Sequence, residues 1–220
     1  MAKLSLTKKI VPIIQKDYIL LFYSAAMKGL ELFPQELSDQ VNLALRRFEQ
    51  NDGSTAKEIC FAVMDRTDLS LADHVVLGHI LRECRYEHIA LLQYERALRG
   101  VSDLLQEAFL HGEQGFCYYA TAEKAKTEED ARKADRYYIW ARKEFVRACR
   151  NMKVVGQLRP LLYLADVFME QGEFAKAGHI ITQYIDSGRY AGELEVSNLL
   201  SFATHLRGKY VHLTGKTPER

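Results

Sequence analysis

A recurrence at 34 residues constrains this chain more than any other feature it carries. Shifting by 34 carries Leu43 onto Leu77, Ala44 onto Gly78, Ala56 onto Ala90, Cys60 onto Tyr94 and Val63 onto Ala97. A period of this length marks a supersecondary unit that buries its apolar face by stacking on neighbours. Within each unit the recurring residues fall three or four apart, the spacing of one helix face. Two antiparallel helices with axes about 8–10 Å apart approach only where small residues meet. Gly78 and Ala90 supply that closeness, and Leu81 and Tyr94 fill the space beside it.

Leu77, Gly78, Leu81, Ala90, Tyr94 and Ala97 together resemble the tetratricopeptide family. Its pattern is a leucine and a glycine in a first helix, then an alanine, an aromatic and an alanine in a second. A second match runs through Leu164, Ala165, Phe168, Gly172, Phe174, Ala177 and Ile181, with Gly172 where the inter-helix turn belongs. The resemblance covers about 37–190, with two clear repeats and two degenerate ones. It implies an all-α fold, a right-handed superhelix of antiparallel helix pairs (a tetratricopeptide-like α-solenoid) with extra N- and C-terminal helices.

Between the clear repeats the pattern stretches. Gly112 falls 34 residues after Gly78, but the following helix presents Ala134, Tyr138 and Ala141 about ten positions late, or alternatively Ala141, Phe145 and Ala148. Longer helices explain this: Ser102 is placed to cap one that ends near Lys126, and Thr127-x-x-Asp130 reads as a capping box for the next. Leu6, Ile10, Ile13, Ile14, Tyr18 and Leu21 give an apolar helix face before Pro34, and Val196, Leu199, Ala203, Leu206 and Tyr210 give another near the end. The expected organisation is an N-terminal helical segment packing on the repeats (1–36), a repeat domain (37–190) with a degenerate middle repeat (102–153), a capping helix (191–212) and a flexible tail (213–220). The four prolines and the lack of period-two apolar runs predict almost no sheet.

Thirty basic residues against 29 acidic ones leave no global field to attract nucleic acid or anionic lipid, so such attraction has to be local. The apolar run Tyr18 to Met27, behind Lys3, Lys8 and Lys9, is too short to span a bilayer and reads as a buried helix. Cys60, Cys84, Cys117 and Cys149 show no metal-ligand spacing and no disulfide framework, and reduced thiols in a cytoplasmic protein are the simplest reading. No cofactor or metal is expected. The histidines show no H-E-x-x-H, and His74 and His79 lie on different helix faces. Leu213-Thr214-Gly215-Lys216-Thr217 lacks the upstream glycine of a phosphate-binding loop. With no nucleophile elbow either, the chain is expected not to be an enzyme.

The family resemblance implies a concave face lined by the first helix of each repeat, where a peptide or partner helix docks. Carried over position by position, it selects Val41, Leu45 and Phe48; Val75, His79 and Arg82; Phe109, Glu113 and Phe116; and Leu162, Asp166 and Met169. The lysine and asparagine positions with which some relatives clamp a terminal carboxylate hold Val41, Leu45 and Val76, which disfavours a chaperone-tail receptor. Two readings stay open: a groove that takes a protein or peptide partner as scaffold, adaptor or chaperone, and a groove filled by the N-terminal helix.

Arg132, Arg136, Lys143, Arg147 and Arg150 fall within roughly 60° of one another on a helix, opposite Ala134, Tyr138, Ala141, Phe145 and Ala148. This basic stripe is the alternative site, for phosphates of nucleic acid or for an acidic partner. The competing reading is a solvated face, with Tyr137 and Trp140 as packing residues. The end helices carry more apolar surface than one contact needs, which suggests a twofold homodimer against a monomer whose ends fold back. No membrane association is expected.

Overall fold

The computed structural model describes residues 32–33, 36–150, 159–186 and 194–218, with the backbone alone at 184–186 and 194–200. Among the described residues every regular element is helical: α1 Asp39–Glu49, α2 Gly53–Val63, α3 Leu71–Glu83, α4 Glu87–Leu98, α5 Leu104–Thr127, α6 Ala131–Arg150, α7 Arg159–Glu170, α8 Phe174–Asp186 and α9 Leu194–Thr214. The N-terminal helix expected from Leu6 to Leu21 lies outside the described residues. So do the side chains of Val196 and Leu199.

The helices pair through one repeated turn. Asn51, Arg85, Glu129 and Gly172 each take a positive φ of 60–73° directly after a helix. In each case the next amide reaches back five residues: Asp52 N to Arg47 O, Tyr86 N to Leu81 O, Asp130 N to Ala125 O, and Glu173 N to Phe168 O. That bond and the left-handed residue form a Schellman turn, which satisfies carbonyls a helix end leaves orphaned. The turns mark four pairs: α1–α2, α3–α4, α5–α6 and α7–α8. The first two turns are 34 residues apart (85 − 51), while the next two steps are 44 and 43 (129 − 85, 172 − 129). The stretch in the middle is the length of α5 and α6, at 24 and 20 residues.

The starts of α2, α3, α5 and α6 are capped by side chains. Ser70 Oγ accepts from Asp73 N at 3.1 Å, and Asp73 Oδ2 accepts from Ser70 N at 3.0 Å, a capping box. Asp73 also accepts from Ser38 N at 2.9 Å through its other oxygen, which ties the start of α1 to the start of α3. The caps of the long helices sit slightly beyond their expected positions. Asp103, not Ser102, accepts from Leu105 N and Gln106 N, and Asp130, not Thr127, accepts from Lys133 N at 3.0 Å. A carboxylate suits the positive end of a helix.

Packing decides the register of the third pair. In α3–α4, a Cβ on Gly78 would lie 2.6 Å from the Tyr94 ring. The same relation recurs in α5–α6 between Gly115 and Phe145. Ala141, Phe145 and Ala148 therefore occupy the places of Ala90, Tyr94 and Ala97, and the relevant glycine is Gly115 rather than Gly112.

Two apolar cores result. One joins α1 to α4 with Phe109, Leu110 and Cys117 of α5; the other joins Phe116, Ala122 and Ala125 of α5 to α6, α7, α8 and α9. The long α5 is thus shared by both. At the far end Ala203 and Leu206 of α9 are buried, and Lys209 reaches Asp166 and Glu170 of α7 at 2.5 and 2.6 Å. The last helix extends through Thr214, so the first two residues of the expected tail, Leu213 and Thr214, are helical.

Candidate binding groove and basic helix face

The end of α3, the start of α4, the second half of α5, the start of α7 and Phe202 of α9 line an open cavity of about 660 Å³. Its aromatic wall comes from α5, α7 and α9. Tyr163 stands 4.9 Å from Phe116, 4.9 Å from Tyr119 and 5.0 Å from Phe202 between ring centroids. The charged rim and floor carry Arg82, Arg85, Lys124 and Arg159 against Glu83, Glu87 and Glu123.

Arg82 organises the floor. It lies on the buried side of α3 beside His79 and is only 7% exposed, so its guanidinium requires partners. Glu113 supplies one at 3.0 Å and Glu83 another at 2.6 Å. Tyr94 donates to the same Glu113 carboxylate at 3.2 Å. Burial by itself would lower the Arg82 pKa, but the two carboxylates outweigh it and hold the group charged. Arg159 stacks over Phe116 at 3.9 Å, and Arg82 stands 5.8 Å from the same ring. His79 meets the opposite situation. Burial and the Arg82 charge push its pKa down to about 4, so the ring is neutral.

A second polar group closes the cavity toward α9. Tyr119 donates to Asp166 at 2.5 Å. Burial, and then the Asp166 charge, push the Tyr119 hydroxyl well above its usual range, so it stays a donor. Lys126 bonds Glu170 at 2.5 Å; burial raises the Glu170 carboxyl, but Lys126 and Lys209 together bring it below the ordinary carboxylate value.

Of the twelve positions selected by the resemblance, Arg82 and Phe116 line this cavity. Glu113 and Asp166 lie behind its walls as partners of Arg82 and Tyr119. Val41, Val75, Phe109, Leu162 and Met169 are buried core residues, and His79 is buried beside Arg82. Leu45 and Phe48 are half-buried on α1. Phe33 packs edge-on to Phe109 at 5.7 Å, and Gln106 Nε2 donates to Leu32 O at 2.7 Å, so the segment before α1 covers that position. The sequence reading missed Tyr119, Tyr163, Arg159 and Phe202. Their one legible trace was the presence of Arg82, Glu113 and Asp166 on largely apolar helix faces, since a buried charge calls for neighbours on other helices.

On the other surface of α5–α6, Arg132, Arg136, Lys143 and Arg150 are exposed. None has a carboxylate partner among the described residues. Arg147 differs, pairing with Glu144 at 3.1 Å, and Glu144 also meets His111 at 2.7 Å. Trp140 stands among the cations at 40% exposure.

No protein-family model and no curated protein matches the chain. Among solved structures it is similar to a monomeric mutant of IFIT1, a tetratricopeptide-containing helical repeat protein, in a structure with m7Gppp-AAAA. The TM-score is 0.56 at 16% identity, over 81% of this chain and 42% of that one. The chain thus spans less than half the length of this relative, and the likeness is one of fold: a tetratricopeptide-like helical repeat. No helix among the described residues is long and apolar enough to cross a membrane.

Proposed function

We propose that the chain is a non-catalytic interaction module, an adaptor or chaperone-like scaffold, that takes a peptide or partner helix in the groove between α3, α5, α7 and α9. A right-handed superhelical course of the pairs and a cytoplasmic location, consistent with four free cysteines, belong to the same proposal. The observation that carries it is the cavity wall: four aromatic rings beside four cations and three carboxylates. A polyanion gains little from so nearly balanced a lining, whereas a peptide with apolar anchors and charges of both signs is complementary to it.

Ala120 lines the cavity without being buried, so Ala120→Trp fills the groove while leaving both cores intact. Selection of a displayed peptide library on the folded protein is expected to enrich peptides whose binding Ala120→Trp removes. If every enriched peptide binds that variant as well as wild type, the groove is not the site.

A second reading rests on the four cations of α6 that have no carboxylate partner among the described residues and on the capped oligonucleotide in the IFIT1 structure. It makes this helix face a nucleic-acid contact. Four neutralised phosphates give a log–log salt slope of about −3 to −4. A salt-independent affinity would remove this reading. Val211 and Leu213, exposed at the end of α9, are the surface on which a homodimer would be sought by light scattering.

A further inference from the structure

We propose that the exposed face of α6 is a stacking platform for single-stranded nucleic acid, with Trp140 as the base-stacking ring and Arg132, Arg136 and Lys143 as phosphate contacts. The inference rests on the second reading above and names the ligand class it would take.

Trp140 is held from two sides. Its ring centroid lies 5.1 Å from Tyr137, at 89°, and 5.5 Å from Tyr118 of α5, at 60°. Tyr118 and Tyr137 themselves stand 6.3 Å apart. The tyrosines are half-buried, while Trp140 keeps 40% of its surface and its neighbour Ile139 keeps 57%. An indole braced this way has its conformational entropy already removed, so stacking a ligand on it costs little further ordering.

The cations form a row along one side of that ring. At 100° per residue, Arg136 lies about 40° from Trp140 one turn before it, and Lys143 about 60° to the same side one turn after it. Arg132 continues the row a turn earlier. Glu144, one turn after Trp140, is buried and occupied by His111 and Arg147, so it does not quench the row. An acidic protein face would need the cations alone. An aromatic face beside cations that have no carboxylate partner among the described residues fits a chain that presents phosphates and bare base faces together. A duplex hides its base faces in its own stack and leaves Trp140 without a partner.

The chain contains a single tryptophan, so its intrinsic fluorescence reports this ring alone. The full chain is titrated at about 50 mM salt with a 20-nucleotide oligo(dT), a duplex of the same length and a poly-glutamate peptide. The expected result is quenching by oligo(dT), weaker binding of the duplex, and a loss of about 5- to 100-fold in oligo(dT) affinity on Trp140→Ala. Trp140→Phe keeps most of the affinity, which separates loss of stacking from loss of fold. Arg136→Glu with Lys143→Glu lowers affinity for both nucleic acids and flattens the salt slope. Equal binding of duplex and single strand, unquenched and unchanged by Trp140→Ala, overturns the platform while leaving the basic face as a phosphate contact. Binding of poly-glutamate in preference to oligo(dT), or no binding of either nucleic acid, overturns both.

Discussion

Gly115 and Phe145 touch so closely that a Cβ on the glycine would stand 2.5 Å from two ring carbons. Phe145 is fully buried and also meets Phe116 at 5.1 Å, so the ring has no empty space to move into. Gly115→Ala is expected to destabilise by about 1–2 kcal/mol, because overpacking of about 1–3 kcal/mol exceeds the gain in helix propensity of up to about 1 kcal/mol. Adding Phe145→Leu should recover part of that loss. Urea denaturation of the double-mutant cycle checks it; additive effects would mean that the two residues do not share a contact.

Glu129 is exposed and carries a φ of 60° in the turn between α5 and α6. A side chain in the left-handed region crowds its own carbonyl, and glycine does not. Glu129→Gly is therefore expected to stabilise by about 0.5–1 kcal/mol, a net of the relieved crowding and the greater unfolded-state entropy of glycine. A lower denaturation midpoint for the variant would contradict the turn assigned here.

Arg82 and Glu113 are a buried ion pair at 3.0 Å, with Glu83 2.6 Å from Arg82 and Arg159 4.0 Å from Glu113. Arg82→Ala leaves Glu113 with only the more distant Arg159 and takes the close partner from Glu83, and should cost about 3–5 kcal/mol. Arg82→Met with Glu113→Gln keeps an acceptor for the Tyr94 hydroxyl and removes both charges. It should lose much less than the sum of the two single changes, as measured by chemical denaturation. A double variant as unstable as that sum would show that the charges act independently.

His79 supplies a pH dependence of definite sign. Its folded pKa is pushed from 6.5 down to about 4, first by burial and then by Arg82, with Glu83 and Glu113 opposing and Arg159 adding to the push. The unfolded chain therefore binds the proton more readily. This share of stability is complete above about pH 6.5 and is lost as pH falls toward 4, a loss of roughly 2 kcal/mol at pH 5. Comparing wild type with His79→Gln at pH 7.5 and 5 isolates it from the carboxylates. A variant with the same pH slope as wild type would refute the assignment.

The sequence by itself determined the helical pairs. The 34-residue shift, the small residues at Gly78 and Ala90 and the glycine at 172 are local signals, because helix periodicity and turn chemistry act over a few residues. The likeness of fold to a helical repeat protein agrees with that reading. The sequence also displayed the basic stripe, since helix phase alone places Arg132, Arg136 and Lys143 together. It left the third pair in two registers, because Tyr138 and Phe145 lie on the same apolar face of α6 two turns apart. Only Gly115, on another helix, distinguishes them. The cavity lay beyond local pattern for the same reason. Arg82, Tyr119, Arg159 and Phe202 come from four helices with different residue spacings between them, and neither helix phase nor the 34-residue period brings them together. Tertiary packing does so, because Arg82 on the buried side of α3 has to find Glu113 and Glu83, and the space around that pairing is then walled by whichever aromatic rings the neighbouring helices present.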